Sequence, residues 1–232
     1  MIELSITFYS GTPGSGKSLH VARNIYNRLV YAKLPVICSF PVDLDYISKQ
    51  GKRKIGTFIH LPYEEMTPQY FYDYALANNV KGKEGQVLVV IDECQLLFNP
   101  REFSRSDRME WIKFFTQHRH LGYDFILVSQ FDLLVDKQIR CLFEFDIKHR
   151  KLNHYGFGRF MPVPWFVAAS YWYCIKKKVG AEFFFYRKKY SRIYNSYDMY
   201  DRLEREIGGA AGGERMELAP PTAAPSNEPF PT

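Results

Sequence analysis

The chain has 232 residues, of which 46% are hydrophobic and 17% aromatic, so it can bury a sizeable core and is not a largely disordered protein. Its formal net charge of +6 is compatible with an anionic partner without identifying one. The cysteines form no C-x-x-C pair, which argues against a zinc site or a disulfide framework and predicts free, buried thiols in a reducing compartment at Cys38, Cys94, Cys141 and Cys174.

A glycine-rich loop follows the first predicted strand, which covers residues 2–9. The loop reads GTPGSGKS and fits the pattern G-x-x-x-x-G-K-S at Gly11, Thr12, Pro13, Gly14, Ser15, Gly16, Lys17 and Ser18. In such a P-loop the backbone N–H groups surround a phosphate, the lysine reaches the terminal phosphates and the serine hydroxyl completes the Mg²⁺ shell. Apolar residues at helical spacing follow, so a helix N-terminus is predicted to face the phosphate. The sequence therefore predicts binding of ATP with Mg²⁺.

Strands and helices are predicted to alternate along the rest of the first 150 residues. Further strands are predicted at residues 34–40, 57–61, 86–92, 124–129 and 142–148, with helices at 64–76 and 107–120. Such alternation is typical of an α/β fold with a largely parallel sheet. Asp107 and Glu110 are placed to form a capping box at the start of the second helix, and Gly122 is placed to end it.

Two carboxylates follow the apolar run VLVVI at residues 87–91. Such a run is typical of a strand buried on both faces, and ligands in open α/β sheets lie at the carboxyl ends of the strands. Asp92 is therefore predicted to hold the magnesium ion together with Ser18. Glu93 is predicted to polarise a water molecule for attack on the γ-phosphate, which favours hydrolysis of ATP over transfer to a small acceptor.

Gln130 and an arginine complete the predicted catalytic set, which is Lys17, Glu93, Gln130 and Arg119. Gln130 ends the strand at 124–129, where an amide can sense the γ-phosphate, although an ordinary polar strand end is the alternative. Arg119 and Arg140 are candidates for an arginine given to the neighbouring subunit's site, or for ion pairs within the fold. The strand order is that of an additional-strand P-loop ATPase, the type to which RecA-like motors belong.

Four segments together resemble one known family: GTPGSGKS, VLVVIDECQLLFNPRE, QHRHLGYDFILVSQ and DKQIRCLFEF. They are similar to the N-terminal ATPase domain of the zonular occludens toxin (Zot) family, which includes the gene I assembly ATPases of filamentous phages. The resemblance covers about residues 3–200, and the segment HRHLGYD is its most discriminating part. The residues that match the family are Gly11, Gly16, Lys17, Ser18, Asp92, Glu93, Arg119 and Gln130.

The resemblance implies an FtsK/HerA-type ATPase that forms a homo-oligomer and acts in phage assembly at the host inner membrane. There, ATP hydrolysis would drive extrusion of single-stranded phage DNA while coat proteins replace the DNA-binding protein around it. Family members commonly continue into a transmembrane helix and a periplasmic domain. Here the longest apolar run, residues 164–175, is shorter than the ~20 residues needed to cross a bilayer, and no cleavable signal peptide precedes the first strand. The chain is expected to be cytoplasmic and peripheral to the membrane.

Other function classes stay open on the residues alone. One is a cytosolic DNA translocase or helicase without a role in secretion, which would unwind a duplex. Another is a metabolic P-loop kinase, which would leave a phosphorylated acceptor. The last is a nucleotide-binding assembly adaptor with negligible turnover, in which Glu93→Gln would change neither hydrolysis nor function.

The composition predicts three parts: residues 1–150 as the ATPase core, 151–207 as a basic, aromatic-rich β extension and 208–232 as a disordered tail rich in Gly and Pro. Basic residues of the extension are Lys176, Lys177, Lys178, Arg187, Lys188, Lys189 and Arg192. This extension has three interpretations: a structural addition with a solvated lysine face, a contact for single-stranded DNA, or a contact for lipid headgroups or coat proteins.

Overall fold

The computed structural model describes residues 5–51, 54–101, 107–153 and 162–194, all within one compact unit, Met1–Asn195. One eight-stranded sheet organises them. Its strands are β1 (Ile6–Ser10), β2 (Val36–Cys38), β3 (Phe58–His60), β4 (Val87–Ile91), β5 (Tyr123–Val128), β6 (Phe145–Lys151), β7 (Trp165–Trp172) and β8 (Lys178–Phe185). In space their order is β3-β2-β4-β5-β1-β6-β7-β8.

The parallel part of the sheet has the predicted additional-strand arrangement. Strand β1 pairs in parallel with β5 and β6, and β4 pairs in parallel with β5 and β2. Strand β5 therefore lies between the strand that enters the P-loop and the strand that ends at Asp92. The predicted α/β class, with the largely parallel sheet and the additional-strand order of the RecA-like P-loop fold, is confirmed.

Helices cover both faces of this sheet. They are α1 (Lys17–Tyr26), which continues as a π-helix (Asn27–Ala32), then α2 (Leu44–Gly51), α3 (Pro68–Asn78), α4 (Arg108–Gln117), α5 (Lys137–Arg140) and α6 (Lys188–Ser191). Side chains alternate along β4: Val87, Val89 and Ile91 join the core under α3 and α4, and Leu88 and Val90 join the core under α1. The unbroken aliphatic run predicts a strand buried on both faces, and the burial confirms it.

The structure differs from the prediction in the cap of one helix and in the start of another. Asp107 does precede α4, but its carboxylate accepts a hydrogen bond from Trp111 Nε1 (3.1 Å) and makes no side-chain cap. The tertiary position of the buried indole outweighs the local capping pattern. Helix α3 begins later than residue 64, because Thr67 Oγ1 caps it by accepting from the backbone N–H of Tyr70 (3.2 Å) and Pro68 occupies its first turn.

The cysteines are all free, as predicted, but only half of them are buried. Cys38 and Cys94 lie in the cores, whereas Cys141 and Cys174 are exposed, which corrects the prediction of four buried thiols. No local pattern indicates this difference, because Cys141 follows a four-residue helix and Cys174 lies in the turn between two strands.

The predicted β extension is present as two antiparallel strands. Strand β7 pairs with β6, and β8 pairs with β7, so the extension continues the same sheet. The division of the chain at residue 150 stays a prediction. The predicted tail, residues 208–232, lies outside the described residues.

Candidate functional site

The P-loop joins β1 to α1 through backbone conformations that favour glycine. Gly11 has φ of 143°, Gly14 of 73° and Gly16 of 97°. A Cβ at Gly11 would lie 2.7 Å from the carbonyl oxygen of His149, and a Cβ at Gly16 would lie 2.6 Å from the ring of Phe166. The loop is therefore packed closely against β6 and β7, and these two glycines are required for space as well as for conformation.

Lys17 begins helix α1, and its ammonium lies over the P-loop. Its Nζ donates to the carbonyl oxygens of Gly11 (2.6 Å) and Thr12 (3.4 Å). Burial lowers the pKa of Lys17, and the nearby charges of Glu93 and Asp92 oppose that shift. A cation held between the loop and two carboxylates is well placed to contact the terminal phosphates of a bound nucleotide.

Asp92 lies directly after β4 and is held by several hydrogen bonds. Its Oδ2 accepts from the hydroxyl of Tyr194 (2.9 Å), and its Oδ1 accepts from the backbone N–H of Glu93 (3.0 Å). Its own backbone N–H donates to Ser39 Oγ (3.0 Å), and its carbonyl accepts from the Tyr63 hydroxyl. Burial raises the pKa of Asp92, and the hydrogen bond from Tyr194 opposes the shift. The carboxylate is thus oriented from its own strand and from the C-terminal part of the chain.

Glu93 adopts a left-handed conformation with φ of 45° and ψ of 48°. Non-glycine residues in this region are uncommon and are concentrated at functional sites, because the surrounding structure must offset the strain. The side chain is fixed by a hydrogen bond from Gln95 Nε2 to Glu93 Oε2 (2.6 Å). The turn after β4 therefore directs two consecutive carboxylates to the same edge of the sheet.

The oxygen donors of this site fit magnesium. Within the described part of the chain, no group of three His, Cys, Asp or Glu side chains is placed to hold a metal ion. Proteins usually hold Mg²⁺ through one or two oxygen ligands together with phosphate oxygens and water. Ser18, in the first turn of α1, and Asp92 supply hard oxygen ligands of this kind.

The structure places Gln130 beside the P-loop and Arg119 away from it. The backbone N–H of Gly11 donates to the carbonyl of Gln130 (3.2 Å). Arg119 lies near the opposite, amino-terminal edge of the sheet, where its Nε donates to Ser5 Oγ (3.0 Å) and its guanidinium pairs with Glu144. Arg140 lies 3.9 Å from Asp132. Arg119 therefore needs a neighbouring subunit for a catalytic role, whereas Asp132, the partner of Arg140, lines the same cleft as the P-loop. A catalytic role of either arginine stays a prediction.

A cleft of about 1020 Å³ opens between the P-loop and the antiparallel extension. Its lining includes Gln130 and several basic and aromatic side chains: Lys148, Arg150, Lys151, Lys176, Tyr171, Trp172 and Tyr173. The two acidic lining residues are both engaged, because Asp146 accepts from Ser10 Oγ (2.7 Å) and Asp132 accepts from the Tyr173 hydroxyl (2.9 Å). The cleft therefore has the character expected of a site for an anionic ligand.

Sequence reasoning missed three side chains that support the site. Tyr194 donates to Asp92, and Phe166 lies against Gly16. His149 Nδ1 donates to the carbonyl oxygen of Ser10 (3.2 Å), and its Nε2 is hydrogen-bonded to His20 Nδ1 (2.8 Å). Tyr194 is one of five tyrosines at helical spacing in the sequence (residues 186, 190, 194, 197 and 200), a pattern that usually indicates core packing and does not assign a role. No motif spacing connects any of these residues to the P-loop, since each contact bridges distant parts of the chain.

Comparison with known proteins identifies the family. Residues 5–199 match the family model described as zonular occludens toxin (Zot). The chain belongs to the Zot family. The resemblance inferred from the four sequence segments is therefore confirmed.

Curated relatives of this Zot-family chain are phage proteins. The Gene 1 protein of Enterobacteria phage I2-2 is 40% identical over 137 residues, which are 59% of this chain and 37% of the relative. The Gene 1 protein of Enterobacteria phage M13 is 28% identical over 142 residues, which are 59% of this chain and 39% of the relative. The chain thus spans less than two fifths of the length of the curated relatives it matches.

Two solved structures share the fold of this Zot-family chain. The N-terminal domain of zonular occludens toxin from Neisseria meningitidis has a TM-score of 0.50 and 19% identity, covering 83% of this chain and 100% of that one. A solved ATPase domain of another protein has a TM-score of 0.56 and 12% identity, covering 83% of this chain and 85% of that one. These likenesses establish the fold alone. In the described residues of the Zot-family chain, no helix is both long enough and apolar enough to cross a membrane.

Proposed function

We propose that this chain hydrolyses ATP to ADP and phosphate with Mg²⁺. The observation that carries the proposal is the placement of one cation and two carboxylates at the same edge of the parallel sheet: Lys17 Nζ donates to the carbonyl oxygen of Gly11 (2.6 Å) after β1, and Asp92 and Glu93 directly follow β4. Lys17 would grip the β- and γ-phosphates, and Ser18 and Asp92 would hold the magnesium ion, which when bound neutralises charge that develops on the phosphates.

The remaining side chains of the site have assigned roles in this proposal. Glu93 would activate the attacking water as a general base, and Gln130 would sense the γ-phosphate. Arg119 would complete the site of a neighbouring subunit in a homo-oligomer. The half-exposed position of Arg119, at the sheet edge opposite its own P-loop, is compatible with such a contribution.

We propose further that the hydrolysis serves phage assembly, where it drives extrusion of single-stranded DNA at the cytoplasmic face of the host inner membrane. Membership of the Zot family and the similarity to phage Gene 1 proteins support the assembly context. Coat or other assembly proteins, and a membrane partner or lipid surface, would be the further contacts of such a machine.

One face of the antiparallel extension supports contact with a nucleic acid strand. The strand register places Lys148 and Arg150 of β6 on the same face as Trp165, Phe183 and Phe185 of the next two strands. Phe183 and Phe185 are 58% and 41% exposed, and Phe185 stacks on Trp165 with ring centroids 5.3 Å apart. We call these five residues the aromatic-basic face. Cations can neutralise phosphates, and exposed rings can stack on unpaired bases.

Steady-state ATP hydrolysis tests the proposed function. Wild type, Glu93→Gln and Glu65→Gln would be compared with and without single-stranded DNA, the last variant changing an exposed carboxylate. We expect turnover that rises with DNA and falls about 100-fold or more in Glu93→Gln, since general-base catalysis contributes that much, while Glu65→Gln stays at the wild-type rate.

The other outcomes assign the chain to the competing classes. Bound nucleotide without turnover would indicate an assembly adaptor, and a phosphorylated acceptor would indicate a kinase. Turnover coupled to duplex unwinding would indicate a helicase without a role in secretion. ATP hydrolysis at the same rate with and without single-stranded DNA would argue against direct DNA transport and favour coat or membrane proteins as the partners.

A further inference from the structure

The last described segment of the chain crosses the P-loop helix and ends at the metal-site carboxylate. Residues 186–194, here called the C-terminal strap, follow β8 and contain α6. Lys189 Nζ lies 3.9 Å from the ring centroid of Tyr26 in α1, and Ile193 is fully buried. The carbonyl of Ile193 accepts from the backbone N–H of Asp43 (3.4 Å). The strap is thus docked on the same helix whose first turn carries Ser18.

Tyr194 brings the end of this strap to Asp92. Its hydroxyl donates to Asp92 Oδ2 at 2.9 Å, and its ring packs edge-on against Phe40 with centroids 4.6 Å apart. The other oxygen, Oδ1, accepts from the backbone N–H of Glu93. Among the described residues, Tyr194 is the side chain that donates to this carboxylate. The direction of Oδ2 therefore depends on where the strap lies.

Groups that hydrogen-bond to a metal-binding carboxylate fix its orientation, and their loss typically lowers metal affinity by 10-fold to 100-fold. A second consequence follows from linkage. If docking of the strap favours the orientation of Asp92 that binds Mg²⁺, then binding of Mg²⁺ with nucleotide must favour docking of the strap by the same factor.

We propose that Tyr194 is a positioning residue for Asp92, and that through it the docking of the C-terminal strap and the binding of Mg²⁺ with nucleotide are coupled. This inference rests on the proposed function, since it takes Asp92 as a magnesium ligand. The strap also carries exposed cations at Arg187, Lys188 and Arg192. An anionic partner that binds those cations more tightly when the strap is docked would strengthen nucleotide binding by the same linkage.

The test compares Tyr194→Phe with Tyr186→Phe, a matched control whose hydroxyl lies on the same strap and pairs with Ser191 Oγ (2.8 Å). The dissociation constant of a fluorescent ATP analogue is measured in Mg²⁺ and in EDTA, together with the unfolding temperature of each variant without nucleotide. We expect Tyr194→Phe to weaken binding in Mg²⁺ about 10-fold while leaving binding in EDTA and the unfolding temperature close to wild type. Tyr186→Phe should resemble wild type in both media.

Hydrogen exchange of the strap supplies a readout that needs no activity. In wild type, Mg²⁺ with a non-hydrolysable ATP analogue should slow exchange of residues 187–194, and in Tyr194→Phe this protection should be lost. An absence of such protection in wild type contradicts the coupling even if the variant fails to fold. Equal weakening in Mg²⁺ and EDTA would reduce Tyr194 to a structural role and overturn the inference. If wild type bound nucleotide no more tightly with Mg²⁺ than without, the proposed function itself would fail.

Discussion

His20 Nδ1 and His149 Nε2 lie 2.8 Å apart and join the P-loop helix to strand β6. Both rings are buried, and the Nδ1 of His149 lies 3.2 Å from the carbonyl oxygen of Ser10, immediately before the P-loop. Burial lowers the pKa of His149 to about 4 and lowers that of His20 well below its ordinary value. The pair is therefore neutral near pH 7 and stabilises the base of the loop as a hydrogen-bonded unit.

Acid should destabilise the fold through this pair. The pKa of His149 is about 4 in the folded state against an ordinary value of 6.5, so the unfolded chain binds more protons between these values. The free energy of unfolding should then fall as pH drops from about 6.5 towards 4, by at most about 3 kcal/mol for this residue. Urea unfolding at pH 7 and pH 4.5 measures the loss.

Replacement of His149 by Gln supplies the control for the pH effect. Burial raises the pKa of Asp92 and Asp146, so the folded state binds their protons first and acidification raises the free energy of unfolding through these two groups. Both residues are present in wild type and in the variant, so their effect is the same in the two proteins. Other titratable or charged groups near the ring are also shared: Tyr9, Lys17, Arg23 and Glu182. The variant should lose less stability on acidification than wild type, and an identical loss in the two proteins would contradict the assignment to His149.

Alanine at Gly16 should be far more destabilising than at a glycine of similar conformation in open space. Gly16 and Gly82 both have positive φ, 97° and 77°, but only Gly16 has a neighbour that a Cβ would strike, the ring of Phe166. Gly82→Ala should lower the free energy of unfolding by about 1–2 kcal/mol, because alanine is strained in a left-handed backbone. Gly16→Ala should lower it by about 1–3 kcal/mol more, because the new Cβ also clashes with Phe166. Chemical denaturation measures both.

A second substitution separates the cost of the left-handed backbone at residue 16 from the cost of the clash with Phe166. Because the clash is with a side chain of β7, Phe166→Leu in the Gly16→Ala background should recover part of the stability. No recovery, or an equal cost at Gly16 and Gly82, would mean that the packing of Phe166 on the loop does not limit residue 16.

Features formed by neighbouring residues can be predicted from the sequence, whereas contacts between distant residues cannot. The P-loop, the buried strand that ends at Asp92 and the position of β5 between β1 and β4 follow from local patterns and their order. The cap predicted at Asp107 is absent, because a tertiary contact with Trp111 overrides the local pattern. The contact between Tyr194 and Asp92 spans 102 residues, and no periodicity encodes such a pairing.

If active sites form between subunits, two inactive variants should complement each other. Arg119→Ala should bind ATP but lose turnover, and Glu93→Gln should do the same for a different reason. In a mixed oligomer, a site that takes Glu93 from the first variant and Arg119 from the second is intact. Random mixing of equal amounts should therefore restore roughly a quarter of the wild-type rate.

The control for this experiment is Glu144→Gln, which removes the partner of Arg119 within the chain but keeps the arginine. It should retain turnover, since a half-exposed ion pair contributes little to stability. If Arg119→Ala alone hydrolysed ATP at the wild-type rate, or the mixture stayed inactive while oligomers formed, Arg119 would be confined to its ion pair and Arg140 would become the remaining candidate.

The aromatic-basic face should bind single-stranded DNA through two separable terms. Phe185→Ala removes a ring that stacks on Trp165 and is 41% exposed, and loss of one base-stacking contact should weaken binding of an oligothymidine about 5-fold or more. Arg150→Gln should also weaken binding, but it should in addition reduce the slope of log affinity against log salt by about 1, because one phosphate contact is lost.

Fluorescence anisotropy over a salt series measures both the affinity and its salt dependence. The control is Leu76→Ala, which changes an exposed apolar side chain elsewhere, 83% exposed on α3. If Phe185→Ala and Arg150→Gln bound the oligonucleotide as Leu76→Ala does, the DNA contact would have to lie outside this face, and lipid or coat-protein binding would become the better explanation of its exposed rings.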